Sequence, residues 1–185
     1  NTQPIVKKEV ETTAPIKKEE PKSTSQQKTD TPSVNMSLWV EAINSRIASY
    51  QKYSNMLRDA ITRDQNYLKE IQANPVDDYL ATFLLASSLT YKIGFEDIAK
   101  KFDTKIAELN TAVAMIKATN VIDTTAWNQK LKEHDNYLQV SLDSSVDIKK
   151  KHEADLAKAS DYIKLLAEQK KLSTKNYITQ NQQKY

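Results

Sequence analysis

The sequence has no cysteine and only one glycine, Gly94, among its 185 residues. The lack of cysteine excludes disulfide bonds, a thiolate nucleophile and cysteine-ligated zinc. The scarcity of glycine disfavours sandwiches and small barrels, which need many tight turns. Four of the five prolines lie in the first 32 residues, and none follows Pro75. Long helices can therefore run without interruption through the rest of the chain.

Long apolar runs are also missing. A membrane-spanning helix needs about 20 consecutive apolar residues, and the most apolar stretch, residues 80–89, is interrupted by Thr82, Ser87 and Ser88. Charged residues make up 28% of the chain, yet the net charge is only +3. Such a balance is typical of a solvated helix surface, whereas a nucleic-acid interface needs a one-sided basic patch. We therefore expect neither a spanning helix nor a nucleic-acid partner.

Residues 1–34 differ in composition from the rest of the chain. Lysine, glutamate, threonine, serine, glutamine and proline dominate there, and the first aromatic residue is Trp39. Such a segment cannot bury enough apolar surface to offset the entropy lost on ordering. We predict a disordered linker or tether over 1–34, a folded domain over 35–180 and a frayed tail over 181–185.

The first helix is predicted over residues 37–73, with Asn35 or Ser37 as its N-cap. Its apolar residues recur at spacings of three and four, which places them in one row along the helix, here called the seam. Ser54 and Asp64 fall on this row as polar gaps. The spacing is typical of a helix that packs along its whole length.

The second helix is predicted over residues 75–118. Asn74 can cap it, and Pro75 suits the first turn, where a backbone N–H has no helical partner. The seam keeps its phase through Gly94, so we predict one continuous helix. Gly94 then marks a soft point or a close contact between helices, with a hinge as the alternative.

The third helix is predicted over residues 124–178, after a turn at 119–123 in which Asn120 takes the left-handed conformation. Asp123 or Thr124 can cap it. The seam is weak around residues 143–151, and we favour a continuous helix over a break there. Because the turns are short, neighbouring helices must be antiparallel. The predicted fold is all-α, an elongated antiparallel three-helix bundle or coiled coil behind a disordered arm.

Catalytic and metal-binding patterns are not found in the sequence. The two histidines, His134 and His152, are five helical turns apart, so they would lie about 27 Å from each other and cannot ligate one metal ion. A phosphate-binding glycine-rich loop and a nucleophile elbow are also missing. Tyrosines on or beside the seams, such as Tyr50 and Tyr91, are expected to pack in the core. We predict a protein that is not an enzyme, with no catalytic residue, no cofactor and no metal.

A mixed-charge tip is the candidate interaction site. The antiparallel layout places the 74–78 corner at the same end as the C-terminal part of helix 3. This end carries Asp77 and Asp78 beside Lys170, Lys171 and Lys175. Such a surface suits a polar, salt-sensitive contact.

The segment from Asn1-Thr2-Gln3-Pro4 to Pro32-Ser33 resembles the spacer of bacterial surface lipoproteins of the Gram-positive type. The resemblance implies a signal peptide and a lipidated cysteine before Asn1, and hence an extracytoplasmic protein anchored to a bacterial cell membrane by its N-terminal tether. We expect a helical spacer or interaction protein that binds another protein or a cell-envelope polymer. The alternatives are a helical bundle that binds a small ligand and a cytosolic or phage coiled-coil assembly factor.

Overall fold

The computed structural model describes residues 33–73 and 77–183, and these form three helices. They are α1 (Met36–Ala73), α2 (Asp78–Thr119) and α3 (Thr124–Gln182). The chain divides into two units, Asn1–Val34 and Asn35–Tyr185, and all three helices lie in the second. The all-α three-helix bundle is thereby confirmed. The predicted disorder of residues 1–32 and the predicted roles of Asn74 and Pro75 lie outside the described residues.

The helix starts are capped by side-chain oxygens. Of the two candidates for α1, Asn35 is the cap, because its Oδ1 accepts hydrogen bonds from the backbone N–H groups of Ser37 and Leu38. Within the described residues, α2 begins later than its predicted bound at residue 75. Asp77 caps this helix, since its Oδ1 accepts from the N–H groups of Tyr79 and Leu80, and the helix begins at Asp78.

The turn between α2 and α3 has the predicted geometry. Asn120 adopts a left-handed backbone with φ of 52° and donates its N–H to the carbonyl of Ile116, which ends α2. Asp123 caps α3 by accepting from the N–H of Ala126. Ile122 and Trp127 on either side of this cap both pack against the main core.

Contacts between side chains establish the direction of the helices. Tyr50 and Phe102 join α1 to α2 at a ring distance of 5.3 Å, and further along α1, Asp64 reaches back to Ser88 of α2. The two helices are therefore antiparallel. Tyr79 of α2 meets Tyr162 of α3, whereas Ser87, later in α2, meets His152, earlier in α3, so these two helices are antiparallel as well.

The core follows the predicted seams closely. One large cluster spans all three helices, and a smaller one lies near the start of α2, where Leu80 and Leu84 pack against Ala159. The bundle is not uniformly closed, because α1 and α3 pack against each other less closely than either packs against α2. The buried apolar residues of the main cluster are Ile43, Tyr50, Leu57, Ile61, Tyr91, Phe95, Ile98, Ala99, Phe102, Leu109, Val113, Ile116 and Leu131.

Helix α2 passes through Gly94 without interruption, as predicted. A Cβ atom added to Gly94 would lie 2.8 Å from Cδ1 of Ile148 on α3. Glycine therefore allows the half-buried Ile148 side chain to approach the backbone of α2. Of the predicted roles, a close contact between helices describes this position best.

Helix α3 is continuous through residues 143–151, which confirms the preferred prediction. It also continues past residue 178, to Gln182. Beyond Tyr162, which meets Tyr79 at the start of α2, the helix extends past the ends of its neighbours. Residues 163–182, here called the overhang, span about 30 Å. Most of their side chains are exposed, and Ile163, the first residue of the overhang, is 48% exposed because the bundle has ended there.

None of the three described helices combines the length and the apolar character needed to cross a membrane.

Candidate functional site

Both histidines lie in the interior of the bundle, in layers of polar side chains that interrupt the apolar core. His152 is 7% exposed and His134 is half-buried. Ser54 and Asp64, the polar gaps of the α1 seam, also face inward, and Ser54 is fully buried. These side chains are satisfied by partners on the other helices, which the pattern of a single helix does not reveal.

The first polar layer joins α1 to α3 at His134. The Tyr50 hydroxyl lies 2.9 Å from His134 Nδ1 and 3.1 Å from the His134 carbonyl oxygen. At the edge of this layer, Arg46 donates two hydrogen bonds to the carboxylate of Asp135, at 3.0 and 2.8 Å. Two parallel bonds of this kind fix the geometry of an arginine–carboxylate pair.

Burial shifts both titratable groups of the first layer. The pKa of Tyr50 is raised well above its usual range, first because burial penalises the phenolate and then because nearby Tyr137 and Asp135 add negative charge. Burial lowers the pKa of His134, and Lys105 adds to this effect. Both shifts favour the neutral forms, in which a hydrogen bond from the Tyr50 hydroxyl to His134 Nδ1 is possible.

The second layer joins α1 to α2. Ser54 donates to Asp103 at 3.1 Å, and Arg58 contacts both side chains. The hydrogen bond from Arg58 is the largest cause of the lowered pKa of Asp103. This layer lies between the two histidine layers along α1.

The third layer joins all three helices at His152. His152 Nε2 lies 2.7 Å from Asp64 Oδ1, and His152 Nδ1 lies 2.8 Å from Ser87 Oγ. Asp64 also accepts a hydrogen bond from Ser88, and Ser87 donates to Asp155 Oδ2 at 2.9 Å. The Tyr91 ring stacks on His152 with centroids 4.5 Å apart. The Asp64 and His152 side chains are only 10% and 8% exposed.

The hydrogen bonds of the third layer form a chain across the three helices. Ser87 donates its hydroxyl hydrogen bond to Asp155, and the Ser87 oxygen also lies within hydrogen-bond distance of His152 Nδ1. Both ring nitrogens of His152 therefore have a partner, Asp64 at Nε2 and Ser87 at Nδ1.

Serine, histidine and aspartate also form the catalytic set of many hydrolases, but the roles differ here. In a hydrolase the serine hydroxyl gives its proton to the histidine, and an oxyanion site lies beside it. Here the Ser87 proton is directed to Asp155, and Ser87 is 8% exposed on a continuous helix. The layer therefore has the features of a structural polar network that sets the arrangement of the three helices.

A groove lies between α1 and α3. Its volume is about 540 Å³, and it opens to solvent along the bundle. Tyr91, Phe95 and His152 are among its lining residues, so the third polar layer forms part of its wall. A smaller cavity of about 370 Å³ is lined by the α2 and α3 residues around the same histidine, including Ser87 and Asp155. The remaining lining residues of the groove are Tyr53, Met56, Leu57, Ala60, Arg63, Asp64, Tyr67, Leu142, Ser145, Val146, Lys149, Glu153 and Leu156.

The residues of the predicted interaction tip occupy two separate places. Asp77 and Asp78 lie at the start of α2, where Asp77 serves as the N-cap. Lys170, Lys171 and Lys175 lie on the overhang, about 12 to 20 Å further along α3 than Tyr162. The structure thus places both groups at the same end of the bundle but does not form one compact patch from them.

Within residues 33–73 and 77–183, no cluster of three or more histidine, cysteine or acidic side chains is placed to hold a metal ion. Comparison with protein-family models, with curated proteins and with solved structures gives no match. The site is therefore interpreted from its own geometry.

Proposed function

We propose that this chain is a non-enzymatic helical interaction protein that presents the overhang of α3 to a partner. The single observation that carries the proposal is this exposed helical extension, residues 163–182, which continues about 30 Å past the packed part of the bundle. Most of the stability of helices in proteins comes from tertiary packing, which the exposed overhang lacks. A partner that packs against the overhang would supply the tertiary contacts that the bundle does not.

The charged side chains of the overhang lie on one side. With about 3.6 residues per turn, all five fall within one half of the circumference, together with Ile163 and Ile178, while Leu165, Leu172 and Tyr177 fall within the other. Leu172 is 59% exposed and Tyr177 is 70% exposed. The charged side carries Lys164, Glu168, Lys170, Lys171 and Lys175.

This distribution supports a partner with negative charge, either another protein or a cell-envelope polymer. Lysine excess on the charged side favours encounter with an anionic surface, and the attraction weakens with salt. The exposed apolar side chains then supply area to bury once the partner is in place. Asp77 and Asp78 stand at the base of the overhang, where they would repel an anionic partner that approached the bundle itself.

We further propose that the N-terminal segment tethers the bundle outside the cytoplasm, at the surface of a bacterial cell membrane. The segment enters α1 at Met36, and this end of the bundle also holds the 119–123 turn. A tether at that end leaves the overhang at the end away from the membrane. The gene sequence upstream of Asn1 provides a direct check, since a signal peptide that ends in cysteine supports the tether and an initiating methionine immediately upstream refutes it.

Charge reversal tests the proposed role of the overhang. Replacement of Lys170, Lys171 and Lys175 by glutamate should reduce binding of the full chain to purified bacterial cell envelopes at low salt, with less effect at moderate salt. The control reverses Lys117, Lys130 and Lys132, which changes the net charge equally at the opposite end of the bundle. Unchanged binding in the first variant, with loss in the second, would show that the opposite end makes the contact.

The groove between α1 and α3 favours a second candidate function, the binding of a small ligand. The two functions use different surfaces and are compatible in one molecule.

A further inference from the structure

The α1–α3 groove concentrates apolar side chains that the fold leaves exposed. Met56, Tyr67 and Val146 are 52%, 50% and 46% exposed, and all three line this groove. Single exposed apolar residues are common on protein surfaces, but several that converge on one concave surface mark a binding site. A volume of about 540 Å³ also falls in the range of small-molecule sites.

The dimensions of the groove restrict its occupant. It extends from Tyr53 to Tyr67 on α1 and from Leu142 to Leu156 on α3, or about 21 Å along each helix. A volume of about 540 Å³ spread over about 21 Å gives a mean cross-section of about 26 Å². A groove of this section has room for one extended chain or a row of rings.

Polarity changes along the groove. The half nearer Tyr53 is apolar, with Met56 and Ala60 on α1 facing the α3 residues Leu142 and Val146. This half has Phe95 among its lining residues, and the Phe95 ring contacts Tyr91 at 4.3 Å. An apolar body of about 10 Å, half of the groove length, would fit here.

The other half of the groove is charged. Arg63 of α1 and Lys149 of α3 line it from opposite helices. Lys149 has a weak partner in Glu153 at 3.7 Å, and the Asp64 carboxylate is already engaged by His152 and Ser88. Within the described part of the chain, Arg63 has no ion-pair partner. An anionic group between the two cations would complete this half.

We propose that the α1–α3 groove binds a small amphiphilic anion, with its apolar body between Met56 and Val146 and its carboxylate, sulfonate or phosphate beside Arg63 and Lys149. The proposal rests on the second candidate function, the binding of a small ligand in this groove, and it does not depend on the role of the overhang. Both the acyl-chain and the aromatic members of this ligand class fit the groove dimensions.

Titration of the full-length chain with anilinonaphthalene sulfonate, a fluorescent aromatic anion, tests the proposal. One molecule should bind per chain, and octanoate should displace it more strongly than octanol, which has the same chain without the charge. Met56→Trp fills the apolar half and should weaken binding by about tenfold or more. The control Met115→Trp adds the same side chain at a position on α2 that is 63% exposed and outside the groove, and should leave affinity unchanged.

A second pair of variants tests the charged half. Arg63→Gln should weaken the displacement of anilinonaphthalene sulfonate by octanoate about three- to tenfold, and it should leave displacement by octanol unchanged. The control Lys150→Gln removes a neighbouring charge that does not line the groove. Equal effects of Met56→Trp and Met115→Trp, or equal effects of Arg63→Gln and Lys150→Gln, would overturn the proposal. Thermal melting of each variant shows whether it is folded, and Val146→Trp provides a second way to fill the groove.

The two anionic probes, anilinonaphthalene sulfonate and octanoate, also show whether the groove prefers aromatic anions or acyl chains. Tighter binding of the sulfonate would assign the groove to aromatic anions, and tighter binding of octanoate would assign it to acyl chains. Either result agrees with an amphiphilic anion. Displacement by octanol as strong as that by octanoate would refute the anionic requirement.

Discussion

Replacement of Gly94 by alanine should change the free energy of unfolding only slightly, because two larger contributions of opposite sign nearly cancel. Alanine is more favourable than glycine within a helix by about 1 kcal/mol. The added Cβ, however, would lie 2.8 Å from Cδ1 of Ile148, closer than the two atoms can remain. Cδ1 is the end of a flexible side chain, so Ile148 can rotate away, at a cost of about 0.5–1.5 kcal/mol for an unfavourable rotamer. We expect Gly94→Ala to change the free energy of unfolding by less than about 1 kcal/mol in either direction.

The two contributions can be separated with Ile148→Val, which removes Cδ1. This change alone should destabilise the protein by about 0.5 kcal/mol, the lower end of the range for a methyl deletion, because Ile148 is only half-buried. In the Ile148→Val background, Gly94→Ala should then give the full stabilisation of about 1 kcal/mol. The coupling energy of the double-mutant cycle should be about 0.5–1.5 kcal/mol.

Urea unfolding followed by far-UV circular dichroism measures all four free energies. The m-value should stay constant across the four proteins if all of them unfold in the same two-state transition. A coupling energy indistinguishable from zero would refute the contact between Gly94 and Ile148. A loss of several kcal/mol in Gly94→Ala alone would show that the approach of α3 cannot adjust by rotation of one side chain.

Two further predictions concern the histidine layers. Because burial lowers the pKa of His134, the unfolded chain takes up this proton at a higher pH than the folded chain does. The unfolding free energy should therefore fall as pH drops below the unfolded value of about 6.5, and His134→Gln should make this fall shallower. Urea titrations of the unchanged protein and of His134→Gln measure this fall between about pH 7 and pH 5. If the unfolding free energy falls equally with pH in both proteins, the prediction is contradicted. Removal of one partner of the buried Asp64–His152 pair should cost about 3–5 kcal/mol, since the other then keeps only its contact with a serine. The double variant Asp64→Leu with His152→Leu should be more stable than the sum of the single changes predicts, and additive losses would contradict the direct contact.

The three-helix fold could be predicted because the seams are long and keep their phase. Spacings of three and four residues place Ile43, Tyr50 and Leu57 on one side of α1, and all three are buried. Helix ends were harder to predict, since neighbouring residues can serve as caps. Asp77 caps α2 through two hydrogen bonds of its own side chain.

The polar layers could have been found from the same spacing. His134 is three residues after Leu131 and four before Leu138, and His152 is four residues before Leu156, so both histidines lie on the α3 seam. Polar residues on a seam are readily interpreted as gaps because their partners belong to other helices. The spacing nevertheless carries a signal whenever polar residues occupy seam positions on more than one helix, as Asp64 does on α1.

The groove could not be predicted from the sequence. It depends on the separation of α1 and α3, and hence on how α2 divides its contacts between them. The seam of each helix indicates which side is buried but not how far apart two helices lie. Met56 and Val146 are therefore exposed although both are adjacent to core positions.

The His152 layer also determines how far α3 protrudes. Helices with a regular seven-residue repeat can in principle slide past one another by one repeat and keep their apolar contacts. A slide of α3 by seven residues in either direction would separate His152 from Asp64 and would take away the contact that joins these two buried side chains. His152 thereby fixes the position of α3 along the bundle, and this position sets how many residues of α3 remain beyond the bundle to reach a partner.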